Sequence, residues 1–162
     1  HKVTVRPHYM TTQNHPQFLV ELNERFGTNQ NFVLDTNFES QGTVHSTDIM
    51  VSDWSGAALE FAFGLERPVL FVDVPRKVNN PDYEKIGYEP IEVQLRSQIG
   101  EVISPDRLSE VPAALNRLCE NPERWQDIIR NLRARWLYNV GTSAKVSADY
   151  IAQVAAAPGH NL

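Results

Sequence analysis

Residues able to do chemistry gather at three places where an apolar run gives way to a polar turn. "KVTVRPH" ends in Arg6 and His8, "DIMVSDWSG" in Ser52, Asp53, Ser55 and Gly56, and "PVLFVDVPRK" in Asp73, Arg76 and Lys77. Such a set suits an oxyanion. A Ser-Gly pair opening a helix leaves backbone N–H groups unpaired, adds a hydroxyl and removes side-chain bulk, so that an anion can come close. Glu60, inside "AALEFAF", lies between Leu59 and Phe61, so either its face is wet or its carboxylate has a partner. Plainer roles stand beside these. Ser52, Asp53 and Ser55 are also helix-capping residue types, Gly56 can simply relieve packing, His8 can be structural, and Arg76 and Lys77 can belong to a solvated loop.

The elements that must position these groups read as strands alternating with helices. Strands are expected over 2–8, 31–35, 47–53, 67–73 and 101–104, the first stopping at Pro7 because proline cannot donate to a ladder. A helix is expected over 14–27, with Asn14 as its cap, an apolar stripe of Phe18, Leu19, Leu22 and Phe26, and Gly27 as its stop. Residues 55–64 read as a second helix, capped by Ser55 and ended by Gly64. Residues 74–100 read mostly as loop with a short helix at "IEVQLRSQIG", and two proline-opened helices and a last one over "TSAKVSADYIAQVAAA" complete the chain. Near-continuous apolar strands alternating with helices indicate a parallel sheet covered on both faces. The expected architecture is therefore a single α/β domain over 1–162, a doubly wound Rossmann-like parallel sheet with helices on both faces. Ligands of open parallel sheets bind beyond the carboxyl ends of the strands, which is where the three polar turns fall.

Composition narrows the function classes. The chain has 162 residues, the size of one domain, with 41% hydrophobic and 22% charged residues, an ordinary globular balance. No apolar run reaches the length of about 18 that a spanning helix needs, and the first ten residues lack the apolar core of a signal peptide. Cys119 is the single cysteine, so no internal disulfide forms, and a reducing, cytoplasmic compartment is expected. The net charge of −5 argues against a nucleic-acid partner, for which a basic footprint is expected. His1, His8, His15, His45 and His160 are too scattered for a metal-ligand pattern, and no carboxylate cluster accompanies the polar turns, so no metal is expected. P-loop, dinucleotide, nucleophile-elbow, zincin and C-x-x-C signatures are absent as well.

The series "VTVRPHYM", "TDIMVSDWSGAALEFAFGLERPVLFVD" and "YEKIGYEPIE" resembles the CDP-glycerol glycerophosphotransferase family, the polymerases and primases of teichoic-acid-like polymers, and is similar to the C-terminal half of their two-domain GT-B fold. The resemblance covers roughly residues 2 to 105. It implies a donor-nucleotide-binding half, with the N-terminal half of the same enzyme absent here, and the strand-like Lys2–Arg6 without a lead-in accords with that. By the same resemblance His8 is catalytic, Arg6, Ser52, Asp53, Ser55 and Gly56 bind the donor diphosphate, and Glu60 approaches the donor alcohol or ribose. Tyr9 replaces the family's proline, Trp54 its tyrosine and Gly56 its second serine.

The implied reaction moves glycerol phosphate, or a related alditol phosphate, from a CDP-linked donor to a hydroxyl of a polymer or lipid-linked acceptor in cell-wall or capsule synthesis, with CMP leaving. No cofactor is implied beyond that nucleotide-activated substrate. A general base on the missing half would leave this piece inactive alone. Lipid-linked acceptors imply a peripheral location on the inner face of the cell membrane; within the chain, "RNLRARWLYN" is the nearest thing to a basic amphipathic helix and reads rather as a packed one, with Leu132, Trp136 and Leu137 inward and its arginines outward. Two other readings stay open: a GT-B glycosyltransferase or epimerase using a UDP-sugar, and a non-catalytic α/β binding module.

Overall fold

The computed structural model describes residues 1–37, 40–76, 78 and 80–156, which group into two compact units, His1–Thr47 and Asp48–Leu162. The first unit holds β1 (Val3–Val5), α1 (Tyr9–Asn14), α2 (Pro16–Phe26), β2 (Phe32–Leu34) and α3 (Gly42–His45). Its two strands pair in parallel, Val3 opposite Phe32 and Val5 opposite Leu34. The expected helix over 14–27 begins at Pro16, with His15 as its N-cap, because Asn14 closes the separate short helix α1. Phe26 packs its ring against Phe32 at 5.5 Å, yet every fully buried apolar residue among those described belongs to the second unit.

The second unit holds β3 (Met50–Ser52), α4 (Gly56–Leu65), β4 (Val69–Val72), α5 (Ile91–Leu95), β5 (Gly100–Ile103), α6 (Val111–Glu120), α7 (Pro122–Trp136) and α8 (Ser143–Ala156). Single 3₁₀ segments precede α5 and α6, at Tyr83–Ile86 and Pro105–Glu110. The sheet order is β3-β4-β5, all parallel, with Met50 opposite Val69 and Val69 opposite Gly100. Central β4 is apolar throughout because neither of its faces meets water; Val69, Leu70 and Phe71 are at most 2% exposed. Alternation along a strand sends Leu70 to one face and Phe71 to the other. Leu70 joins Ile103, Ala114 and Leu118 in a core under α6, flanked by Ile49, Val111 and Trp125. On the other face, Phe71 borders Ala58 and Leu59 of α4.

An α/β architecture with parallel strands is therefore present, but in two small sheets of two and three strands. The third strand starts at Met50, later than its apolar pattern suggests, because the residues before it close α3: Thr47 N–H donates to the Val44 carbonyl at 3.2 Å and its hydroxyl to the Thr43 carbonyl at 2.7 Å. Strands of three residues then carry few ladder bonds, and the side-chain contacts of β4 do most of the holding.

Helix α4 positions the turn before it, and both its ends are tied. Ser55, in extended backbone, accepts from the Ala57 N–H at 3.3 Å, as an N-cap does. At the other end the helix continues through Gly64 to Leu65, and its left-handed cap is Glu66 at φ 55°. Glycine was the expected stop, and a side chain replaces it because that side chain is held from above. The Glu66 carboxylate takes Arg130 Nη2 at 2.7 Å and Arg133 Nη2 at 2.5 Å, while Arg133 Nη1 caps the Phe63 carbonyl at 2.9 Å. The hydrogen bond from Arg130, followed by the two positive charges, lowers the Glu66 carboxyl below the ordinary glutamate range. Arg133 thus turns onto the end of α4, whereas Arg130 reaches Glu66 with its side chain still half exposed, and Leu137 lies past the helix end, 38% exposed.

Candidate functional site

Ser52 ends β3 and Asp53 and Trp54 make the bend that enters α4. Sequence reasoning places this turn correctly at a strand's carboxyl end and a helix's amino end. Among the described residues the Gly56 N–H has no hydrogen-bond partner, and a Cβ built on Gly56 would meet nothing within 4 Å. The Cα side of Gly56 is therefore open, and its amide is left unpaired at the helix start. The Ser55 hydroxyl, by contrast, is already engaged with Ala57. Glu60 is on the exposed face of α4 with no partner among the described residues, so that face is wet, whereas Phe61 beside it is 2% exposed.

Trp54, which the sequence marks only as an unusual residue in the turn, organises its surroundings. Its indole N–H donates to the Val74 carbonyl at 2.8 Å, tying the end of β3 to the segment after β4. The Arg96 guanidinium lies 3.7 Å from the indole centroid and 5.0 Å from the Phe71 ring. Arg76 approaches the same indole at 5.7 Å and the Tyr83 ring at 5.0 Å. Arg76 is thus half-buried against aromatic rings and not a solvated loop residue; Lys77 lies outside the described residues. Asp73, at the carboxyl end of β4, accepts from Arg96 Nη1 at 2.7 Å.

Arg96 is the functional candidate that sequence reasoning missed. It is 6% exposed, the only buried charged residue among those described. An arginine following "IEVQL" carries no local signal, since its partners Asp73 and Trp54 are far away in the chain. A cavity of about 10 Å³ sits at the turn, lined by Asp53, Trp54, Ser55, Phe71, Glu92 and Arg96 among others. A wider groove of about 460 Å³ is lined by Glu101, Arg117 and Trp125. Glu101 stands near the start of β5 and is clamped by Arg117 at 3.2 and 2.6 Å, so that groove lies at the amino ends of the strands. The smaller cavity is at the carboxyl ends, where parallel sheets bind their ligands.

Arg6 and His8 belong to the first unit, and Ser52, Asp53, Ser55, Gly56 and Glu60 to the second. Arg6 reaches the Ser40 carbonyl at 2.7 Å, the Thr43 hydroxyl at 3.3 Å and the Asp35 carboxylate at 3.7 Å. Asp35 in turn is held below the usual carboxylate range, first by the Thr43 hydroxyl that donates to it, then by the Asn37 N–H and the Arg6 charge. Arg6 therefore organises the chain after β2. His8 is exposed and caps α1, its Nδ1 accepting from the Met10 N–H at 3.2 Å, which leaves Nε2 as the ring's N–H donor. No group of His, Cys, Asp and Glu able to hold a metal occurs among the described residues. None of their helices is long and apolar enough to cross a membrane.

Comparison with known protein families, with curated proteins and with solved structures finds no match to this chain. The fold and the site stand on their own geometry: a parallel α/β unit with a polar turn at the carboxyl edge of its sheet.

Proposed function

We propose that the turn Ser52–Gly56 binds the diphosphate of a nucleotide-activated donor, and that the chain is the donor half of a GT-B transferase that moves glycerol phosphate or a related alditol phosphate from a CDP-linked donor. One observation carries the reading: a Gly56 amide without a hydrogen-bond partner among the described residues, at the amino end of a ten-residue helix and at the carboxyl edge of a parallel sheet. Aligned peptide dipoles make such an end attractive to phosphate. The motifs that resemble the glycerophosphotransferase family supply the identity of the donor. In this reading the reaction is displacement at phosphorus, where positioning and charge stabilisation dominate. The acceptor is a polymer or lipid-linked hydroxyl, met on the inner face of the membrane, and the acceptor's general base comes from another half of the enzyme.

The test is calorimetric titration of the chain with CDP-glycerol, UDP-GlcNAc and CMP. The reading expects measurable binding of CDP-glycerol in preference to the uridine ligand, and no transfer of glycerol phosphate by this chain alone. Preference for UDP-GlcNAc contradicts it in favour of a sugar-nucleotide enzyme. Binding of none of the three favours a non-catalytic module.

A further inference from the structure

Arg76 is half-buried, and among the described residues it has neither a hydrogen bond nor an ion pair. Its guanidinium lies over two rings instead, 5.7 Å from the Trp54 centroid and 5.0 Å from that of Tyr83. The carboxylates nearest in the chain and in the turn do not serve it: Asp73 is taken by Arg96 at 2.7 Å, and Asp53 is exposed. The Arg76 nitrogens are not sealed off. Among the described residues the buried side-chain nitrogens without a partner all belong to Arg96, so those of Arg76 reach solvent. A ring face attracts the cation but offers no lone pair, and the N–H donors of the guanidinium stay open to a ligand.

Its place in the fold decides what that ligand is. Arg76 follows the end of β4 at Val72, and the Trp54 indole N–H donates to the Val74 carbonyl at 2.8 Å. That bond joins the segment after β4 to the turn that opens α4, so the cation is presented at the carboxyl edge of the sheet, where parallel sheets bind their ligands. Arg6, to which the family resemblance gives the diphosphate, is committed to the Ser40 carbonyl, the Thr43 hydroxyl and Asp35. Contact with two rings restrains the long Arg76 side chain before any ligand arrives, which cuts the ordering cost of binding. A guanidinium with free N–H groups suits a phosphate, two of whose oxygens match its fork. Asp53 opposes an anion, but water and salt screen its exposed charge more than they screen the half-buried guanidinium.

We propose that Arg76 binds a phosphate oxyanion, held ready for it by Trp54 and Tyr83. The inference rests on the donor reading above for which molecule carries that phosphate: the CDP-linked donor, or the glycerol phosphate units of the acceptor, which share this chemistry. In the donor case Arg76 supplies the guanidinium that Arg6 does not.

The experiment is NMR titration of the full chain with inorganic phosphate, glycerol 3-phosphate, CDP-glycerol and glycerol, read at the backbone amides and at the Trp54 indole N–H. The proposal expects the Arg76 amide and the Trp54 indole to move saturably with all three phosphates and not with glycerol. Arg76→Gln is expected to weaken binding of each phosphate about tenfold or more, and Arg76→Lys, which keeps the charge and loses the fork, to weaken it less; an indole signal unchanged in the free variants shows that both are folded. Tightest binding of CDP-glycerol assigns the phosphate to the donor, and tightest binding of glycerol 3-phosphate assigns it to the acceptor. No movement at Arg76 and Trp54 with any phosphate, movement with glycerol, or phosphate binding undiminished in Arg76→Gln overturns the proposal. CDP-glycerol binding that shifts the Gly56 amide and is undiminished in Arg76→Gln overturns it while the donor reading stands. Binding that needs Arg76 but is no tighter for CDP-glycerol or glycerol 3-phosphate than for inorganic phosphate upholds the Arg76 site and removes the donor reading instead.

Discussion

Replacing Trp54 by alanine and Arg96 by methionine, singly and together, measures how the candidate site is held. Trp54→Ala removes the hydrogen bond to the Val74 carbonyl, about 1 kcal/mol. It also removes the face on which Arg96 rests at 3.7 Å, about 1–2 kcal/mol for a desolvated cation–π pair, and it leaves a gap beside a half-buried ring. The sum is about 3–4 kcal/mol, within the usual cost of a large aromatic deletion. Arg96→Met loses the stack and the ion pair to Asp73, but it also removes a buried charge and two unpaired N–H groups. Methionine packs well against Phe71 and Trp54, so the net change is under about 1 kcal/mol, as often found when buried ions yield to apolar side chains. The double variant should cost less than the two singles combined, by about 1–2 kcal/mol, because the stack is lost only once. Urea unfolding followed by far-UV circular dichroism at pH 7 gives all three values. Additivity within about 0.3 kcal/mol refutes the claim that Arg96 and Trp54 form one unit.

Three further outcomes follow from the same packing. Glu66→Gln should flatten the acid limb of stability: the folded carboxyl is lowered, so its contribution is full above the unfolded-state value and is lost as pH falls through the folded one, and denaturation at stepped pH from 7 to about 2 reads the difference from wild type. Gly64→Ala should stabilise by about 0.5–1 kcal/mol, since Gly64 is inside α4 and a Cβ there meets nothing within 4 Å; a fall in the urea midpoint contradicts that placement. Gly100→Ala should destabilise by about 1–3 kcal/mol, because its Cβ would run into the Val69 carbonyl on the neighbouring strand, and a neutral result contradicts the β4–β5 register.

How much was legible in the sequence depended on how local each cause is. Helix α4 and its Ser55 cap were readable because cap, apolar run and following strand are consecutive. β4 was readable because a strand buried on both faces is apolar at every position. Glu66 as the helix end was hidden, since its left-handed backbone is tolerated only through Arg130 and Arg133, more than sixty residues away. Arg96 was hidden for the same reason, its partners being Asp73, Trp54 and Phe71. Helices α1 and α3 went unseen because four to six polar-rich residues carry no periodicity. The single doubly wound sheet was expected from strand patterns that ran longer than the three-residue ladders actually formed.

The most direct test of the central claim is a site-resolved one: backbone amide NMR of the chain titrated with CDP-glycerol. The account predicts that the Gly56 and Ala57 amides at the start of α4 shift first and saturate together with the indole N–H of Trp54. Saturable binding that leaves Gly56 and Ala57 unmoved, with its shifts confined to the groove around Arg117 and Trp125, contradicts it.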